Sequence, residues 1–387
     1  MKKLTEKPFE YLRTKGDNQP FTEETLRNWY IARAYVLNLF NKEKKYAFGP
    51  DSKEHLNVIV VGDTPLMLAV VRQLALSAHF INFVEHDIYG DLVCHNRSEI
   101  KLVSRKEASE ILGLLEKEEC LCNLLQYCKY SVDGTVHNPD SYLDIELEII
   151  KHEPQGKGLF KITEKDVNDF VASQDSETIF KIDTRKAIFA SRAYDLGDTI
   201  NNVPYEGIFM ADRYSRALNK FQFRLLEDKK NAEITLVKAE WKTDLSAVKE
   251  GLSNLFCSDC FETRSREIEM IEKKDKESLF DVWKRTNQAL SLSEHSRWLI
   301  EKLIMGYRPL SDEERLKYES CFGAVRKAYG KSLKNNSKDP AHIDVCSYSE
   351  LRRIDPDNMK YDSFLMLAIP WILDKIEAED KNENGKD

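Results

Sequence analysis

Glu294, His295, Trp298 and Lys302 recur at three- and four-residue spacing, which places a carboxylate, an imidazole, an indole and an ammonium group near one helix face. Such a set can wall a ligand pocket; equally, Trp298 and Tyr307 can be core anchors and His295 a buried, hydrogen-bonded imidazole. A second candidate is Gly62-Asp63-Thr64-Pro65, which follows an apolar run. A dinucleotide-binding turn carries glycines there so that the backbone can approach a pyrophosphate at a helix N-terminus. Only the first glycine is present, but Thr64 can offer a hydroxyl and an N–H. Glu85, 23 residues after Gly62, stands where an acid would take ribose hydroxyls. Cys257-Ser258-Asp259-Cys260 has redox or half-zinc spacing and Cys120-Leu121-Cys122 is a second close pair, yet neither has the partner ligands a zinc site needs, so no metal is expected. His86-Asp87 and Asp51/Glu54/His55 set acids beside imidazoles without a nucleophile, and no G-x-S-x-G, H-E-x-x-H or Walker loop occurs.

The elements that would position these groups follow from periodicity. Leu56–Val61 is a nearly continuous, largely β-branched run ending at Gly62, the pattern of a strand buried on both faces of a parallel sheet. Thr64 caps and Pro65 opens a helix with Leu66, Ala69, Val70 and Leu74 inward, and Phe80–Glu85 reads as the next strand. That βαβ unit predicts an α/β, Rossmann-like, doubly wound and mostly parallel sheet. Before it, a helix over 20–45 with Thr22 as cap predicts an N-terminal extension spanning 1–52. Helix is predicted over 106–130, strands at Leu143–Ile149, Leu159–Ile162, Thr178–Ile182 and Ala232–Lys238, and a helix near Ala211–Leu226. The body spans 53–280, with a break near 155 if it has two halves. Ser293 reads as the cap of the helix that ends at Gly306, and the polar end, 377–387, reads as a disordered tail.

The segment Glu294-His295-Ser296-Arg297-Trp298, with Glu301, Leu303 and Gly306-Tyr307-Arg308, then His342-Ile343-Asp344-Val345-Cys346-Ser347-Tyr348-Ser349-Glu350-Leu351, Lys360-Tyr361-Asp362 and Ile369-Pro370, resembles a ryanodine-receptor-type (RyR) domain over 291–375. Ile343 and Ser347 stand where that pattern has prolines, and the stretch from Arg308 to His342 is long for it. The resemblance implies a mainly α-helical RyR domain at 281–376. The order of parts also resembles bacterial proteins that join a nucleotide-binding domain of the potassium-transport-regulator type to an RyR domain. It further implies a pocket lined by Glu294, His295, Trp298, Tyr307, Arg308, Tyr348 and Tyr361, with Arg297 and Arg308 meeting phosphate and Glu294 or Asp362 accepting from an exocyclic amine or ribose hydroxyl. On this reading the protein is a non-catalytic sensor of a nucleotide-derived signal in antiviral defence, acting as a homo-oligomer or on an effector protein. The alternatives are an NAD- or nucleotide-dependent enzyme or regulator using Gly62, Asp63, Thr64 and Glu85, and a protein-interaction module without a small ligand.

Composition bounds these readings. The 387 residues suffice for two or three domains, and net charge −8 gives no global attraction to a phosphodiester backbone, so nonspecific DNA binding is not expected. Yet 291–335 holds nine Lys and Arg against six Asp and Glu, a locally basic stretch in an acidic chain. No run approaches the ~20 apolar residues of a membrane span, no signal-peptide pattern opens the chain, and eight scattered cysteines suit reduced thiols, so a cytoplasmic protein is expected.

Overall fold

Strand β1 (Asn57–Val61) is the buried run anticipated above: Val58, Ile59 and Val60 have essentially no exposed surface because both sheet faces are covered. The computed structural model describes residues 23–42, 46–83, 96–118, 121–152, 160–175, 179, 185–187, 190, 253–271, 276, 279–336 and 338–384. Helix α1 (Glu23–Lys42) lies against α2 (Pro65–Ser77), and β1 is joined in a six-stranded sheet by β2 (Ser98–Val103), β3 (Lys129–Val132), β4 (Thr135–His137), β5 (Ile145–Ile150) and β6 (Phe160–Thr163). The strand order is β4-β3-β5-β2-β1-β6, all parallel except the β3–β4 hairpin. From β1 the chain steps to β2, skips one position to form the outer β3–β4 hairpin, comes back to fill the gap with β5, and then crosses to place β6 on the other side of β1. The architecture is therefore mixed α/β, and the strand order reverses at the carboxyl ends of β1 and β6, the position where open α/β sheets have their binding crevice.

Several elements differ from the sequence reading. Phe80–Phe83 is buried but turns instead of pairing as a strand. Its backbone and side chains are taken by other partners: the Ile81 N–H donates to the Glu267 carboxylate at 3.1 Å, and Asn82 Nδ2 donates to the Glu54 carbonyl at 2.6 Å. The strand beside β1 is instead β2, so Ser104 follows it; Glu85 lies outside the described residues, as do His86 and Asp87. The stretch 106–130 divides into α3 (Ala108–Glu118) and α4 (Cys122–Tyr127) and ends in β3. Of the Thr178–Ile182 segment only Ile179 is described, and it is helical; Ala211–Leu226 and Ala232–Lys238 fall outside the described residues.

After α5 (Glu164–Ser173), capped by the reciprocal Thr163–Asp166 bonds, come α6 (Phe261–Met270), α7 (Leu279–Ile304), α8 (Asp312–Ser320), α9 (Gly323–Lys334), α10 (Tyr348–Ile354), a 3₁₀ turn and α11 (Met359–Asn384). Ser293 is thus a buried mid-helix residue of α7, not its cap, since the apolar positions continue upstream of it. The region from 377 is helical to Asn384 instead of a disordered tail, held by the i,i+4 pair Glu377–Lys381 and by Asp380 with Arg185. Helix α1 and the C-terminal helices pack on the sheet. Ile31, Val36 and Phe40 of α1 and Leu299, Ile300 and Leu303 of α7 belong to the same apolar cluster as the sheet. Buried charges reinforce the junction: Arg33 pairs with Asp259, and Arg264 donates to the His79 carbonyl at 2.7 Å and the Ser293 carbonyl at 3.1 Å. No helix among the described residues is long and apolar enough to cross a membrane.

Candidate functional site

At the crevice, Gly62 sits at φ +117°, a conformation that side chains rarely adopt, and lets β1 turn sharply into α2. Thr64 caps α2 by accepting from the Met67 N–H at 3.4 Å and donates its hydroxyl to Glu164 Oε2 at 3.2 Å. Asp63 accepts from the Ser104 hydroxyl and pairs with Lys106 at 2.9 Å; burial opposes its charge, but these two partners lower its pKa overall. The side chains that would meet a pyrophosphate are therefore already paired within the chain, and the Glu164 carboxylate stands beside the helix N-terminus where a second anion would be repelled. Gly62, Asp63 and Thr64 do not fit a dinucleotide in this conformation.

The second cluster is built on α7. Gly306, at φ +85°, ends the helix, with the Gly306 N–H reaching the Leu303 carbonyl and the Tyr307 N–H the Lys302 carbonyl. Arg297, fully buried, donates from Nε and Nη2 to Glu294 and from Nη1 to Glu301 at 2.7 Å; Lys302 adds a 2.6 Å bond to Glu301. The sequence reading set Arg297 on phosphate and Glu294 on a ligand amine. The structure turns each toward the other inside the protein, because an isolated charge at this depth is too costly to leave unpaired. Cys257 and Cys260, buried beside this network, are free thiols, and burial raises the Cys260 pKa to about 12. The Cys120–Cys122 pair has no described side chains.

His295, buried on the neighbouring stripe of α7, donates from Nε2 to the Cys346 carbonyl at 3.0 Å and faces Asp362 Oδ2 from Nδ1 at 3.5 Å. Burial opposes its charge, yet Asp362 and the Cys346 carbonyl outweigh that and raise its pKa. Trp298 stacks over it at 6.0 Å between centroids, Tyr348 leans on it at 5.6 Å, and His342 meets the edges of Trp298 and Tyr307. His342 accepts from the Asp344 N–H through Nδ1, and burial, then Lys334, Lys302 and His295, holds it neutral with a pKa well below the usual value. Asp344 is pushed up to about 7, by burial first and by Asp355 next, and its Oδ1 atom is buried without a hydrogen-bond partner. Thus Glu294, His295, Trp298, Tyr307, Tyr348 and Asp362 do converge, as a packed aromatic and ionic cluster. Tyr361 is half-buried on α11.

Arg308 stands apart. Its five N–H groups are used on the Pro309 carbonyl and on the carboxylates of Glu314 and Asp339. These bonds raise the Arg308 pKa and lower that of Glu314 to about 2. The arginine is a clamp, with no donor left for phosphate unless a carboxylate gives way. It nevertheless edges a cleft of about 520 Å³ that also takes Tyr127 and Tyr142 from the α/β body and Arg315, Val345, Cys346, Glu350 and Ile354 from the helical part. Arg315 meets one carboxylate, Glu350, at 2.5 Å. The cleft wall is positioned by the α7 cluster, since Cys346 lines the cleft and its carbonyl holds His295.

Sequence reasoning missed Tyr127, Tyr142, Arg315 and Glu350. Arg315 and Glu350 were within reach of it, because Ser311 and Ser347 each cap a helix that carries one of them; the tyrosines come from a distant part of the chain. Among the described residues no group of three or more His, Cys, Asp or Glu side chains could hold a metal ion. No protein family, no curated protein and no solved structure matches this chain.

Proposed function

We propose that the protein is a non-catalytic sensor in which a Rossmann-like body and an RyR-type helical domain together bind a small nucleotide-type ligand in the cleft at their junction. The observation that carries this reading is the cleft itself: about 520 Å³, within the size of small-molecule sites, and lined from both parts of the chain. Tyr127 and Tyr142 supply aromatic surface for a base, and Val345 and Ile354 an apolar wall. Arg315, held by the single carboxylate of Glu350, is the guanidinium best able to exchange that partner for a phosphate. A ligand that touches both parts stabilises the arrangement in which both linings are present, so its binding free energy is the signal that shifts the population. His295 and Asp362 act as positioning residues behind the Cys346 wall.

The test is calorimetry of the full chain against mono-, di- and cyclic nucleotides, with Arg315→Ala and Tyr127→Ala as variants. Binding of at least one nucleotide, weakened about tenfold or more by Arg315→Ala, is expected from the loss of one charge-assisted contact. Silence across the panel, or binding that neither substitution alters, defeats the proposal.

A further inference from the structure

The long stretch between Arg308 and His342 folds as a helical hairpin, α8 and α9, closed at its base by Arg308 with Glu314 and Asp339 and by backbone bonds from Arg308 to Pro340 and His342. Five large hydrophobic side chains are exposed among the described residues, and three are here: Leu316 at 69%, Phe322 at 77% and Val325 at 65%. Helix α9 has no buried residue; its inner side, Tyr329 and Leu333, rests on Leu310, Tyr318 and Ala341. At 3.6 residues per turn, Lys327, Lys331 and Lys334 form a ridge on the outer side, flanked on one edge by the strip Ala324, Ala328 and Val325. From 321 to 338 there are five cations and no carboxylate; with −8 for the whole chain, the remainder carries −13.

We propose that this hairpin is a docking surface for an acidic amphipathic helix of a partner protein. Carboxylates spaced i, i+4, i+7 on that helix would meet Lys327, Lys331 and Lys334, its apolar side would cover Phe322 and Val325, and the alanines allow close approach. The three lysines flank the apolar strip on one edge only, while Arg326 is turned back over the rings of Tyr318 and Phe322; that sidedness suits a partner with a matching stripe better than a bilayer, which favours lysines spread over the polar face. An antiparallel two-fold contact between copies across the apolar strip would set one lysine ridge against the other, so like-charge repulsion disfavours a second copy in that arrangement.

The probe is a labelled synthetic helix of about 18 residues, long enough to hold helix in water, with glutamates at that spacing beside a leucine stripe, and a scrambled peptide of equal composition. Fluorescence anisotropy with the full chain should show saturable binding of the patterned peptide. Phe322→Ser, or Lys327→Glu with Lys331→Glu, should weaken it by about tenfold or more, and a lysine-for-glutamate peptide should restore binding to the doubly substituted protein. Circular dichroism checks that the exposed substitutions leave the fold intact. Absence of binding, or equal binding of the scrambled peptide, overturns the proposal. So does an outcome in which the hairpin substitutions abolish instead sedimentation with phosphatidylserine vesicles or self-association of the protein.

Discussion

Replacing Arg297 with Met removes the guanidinium that bridges Glu294 and Glu301, both of which are essentially unexposed. Glu301 retains Lys302, but Glu294 loses the fork formed by Nε and Nη2. Breaking one side of a buried ion pair leaves a desolvated charge and costs about 3–5 kcal/mol, a large fraction of a stability of about 5–15 kcal/mol. The companion variant, Arg297→Met with Glu294→Met, removes both charges and fills the space with apolar side chains while keeping Glu301 on Lys302. It should therefore recover most of that loss, an interaction of roughly 2–3 kcal/mol in the double-mutant cycle. Urea unfolding followed by tryptophan fluorescence and circular dichroism reads both numbers from the midpoint and slope. A single variant that loses less than about 1 kcal/mol, or a double variant as unstable as the sum of its parts, would refute the view that this network is sealed from water.

Asp344, with a folded pKa of about 7 against an ordinary 3.8, binds its proton more tightly when folded, so its contribution falls as pH rises from about 4 to 7. His295, also raised, loses its contribution as pH passes upward through its folded pKa, whereas His342, lowered, works in the opposite direction below its ordinary value. Asp344→Asn should accordingly flatten the unfolding midpoint across pH 4–7; an unchanged profile would remove Asp344 from the account. Gly306→Ala meets no atom within 4 Å, so only the left-handed backbone resists it, and a loss of about 1–2 kcal/mol in urea is expected; neutrality would count against that φ. Iodoacetamide at pH 8 should leave Cys257 and Cys260 unmodified in the folded protein and label both in urea, as read by mass spectrometry; rapid native labelling would contradict their burial.

The legible parts of the fold were those whose signal is local. The buried run of β1, the Thr64 cap with Pro65 and the Gly306 stop follow from short-range sterics and hydrogen bonding, and each stands where the residue pattern placed it. Phe80–Phe83 misled because burial against Glu267 and Glu54, not sheet pairing, is what its apolar character serves, and those partners are remote in sequence. The convergence of His295, Trp298, Tyr348 and Asp362 was legible from motif order, but the commitments of Arg297 and Arg308 were not, since a sequence does not say which carboxylate a guanidinium will reach. The basic character of 291–335 was likewise legible as a sum. Its division between buried pairs on α7 and a solvent-exposed ridge on α9 required the helices to be placed.

The bonds from Arg264 to the His79 carbonyl and from the Ile81 N–H to the Glu267 carboxylate span 185 and 186 residues. During synthesis at about 5–20 residues per second, the turn after α2 waits roughly 10–40 s for the side chains that satisfy it. A nascent chain holding the whole sheet still lacks the helices that close it, so the His79 carbonyl and the Ile81 N–H gain these partners only once α6 has been made.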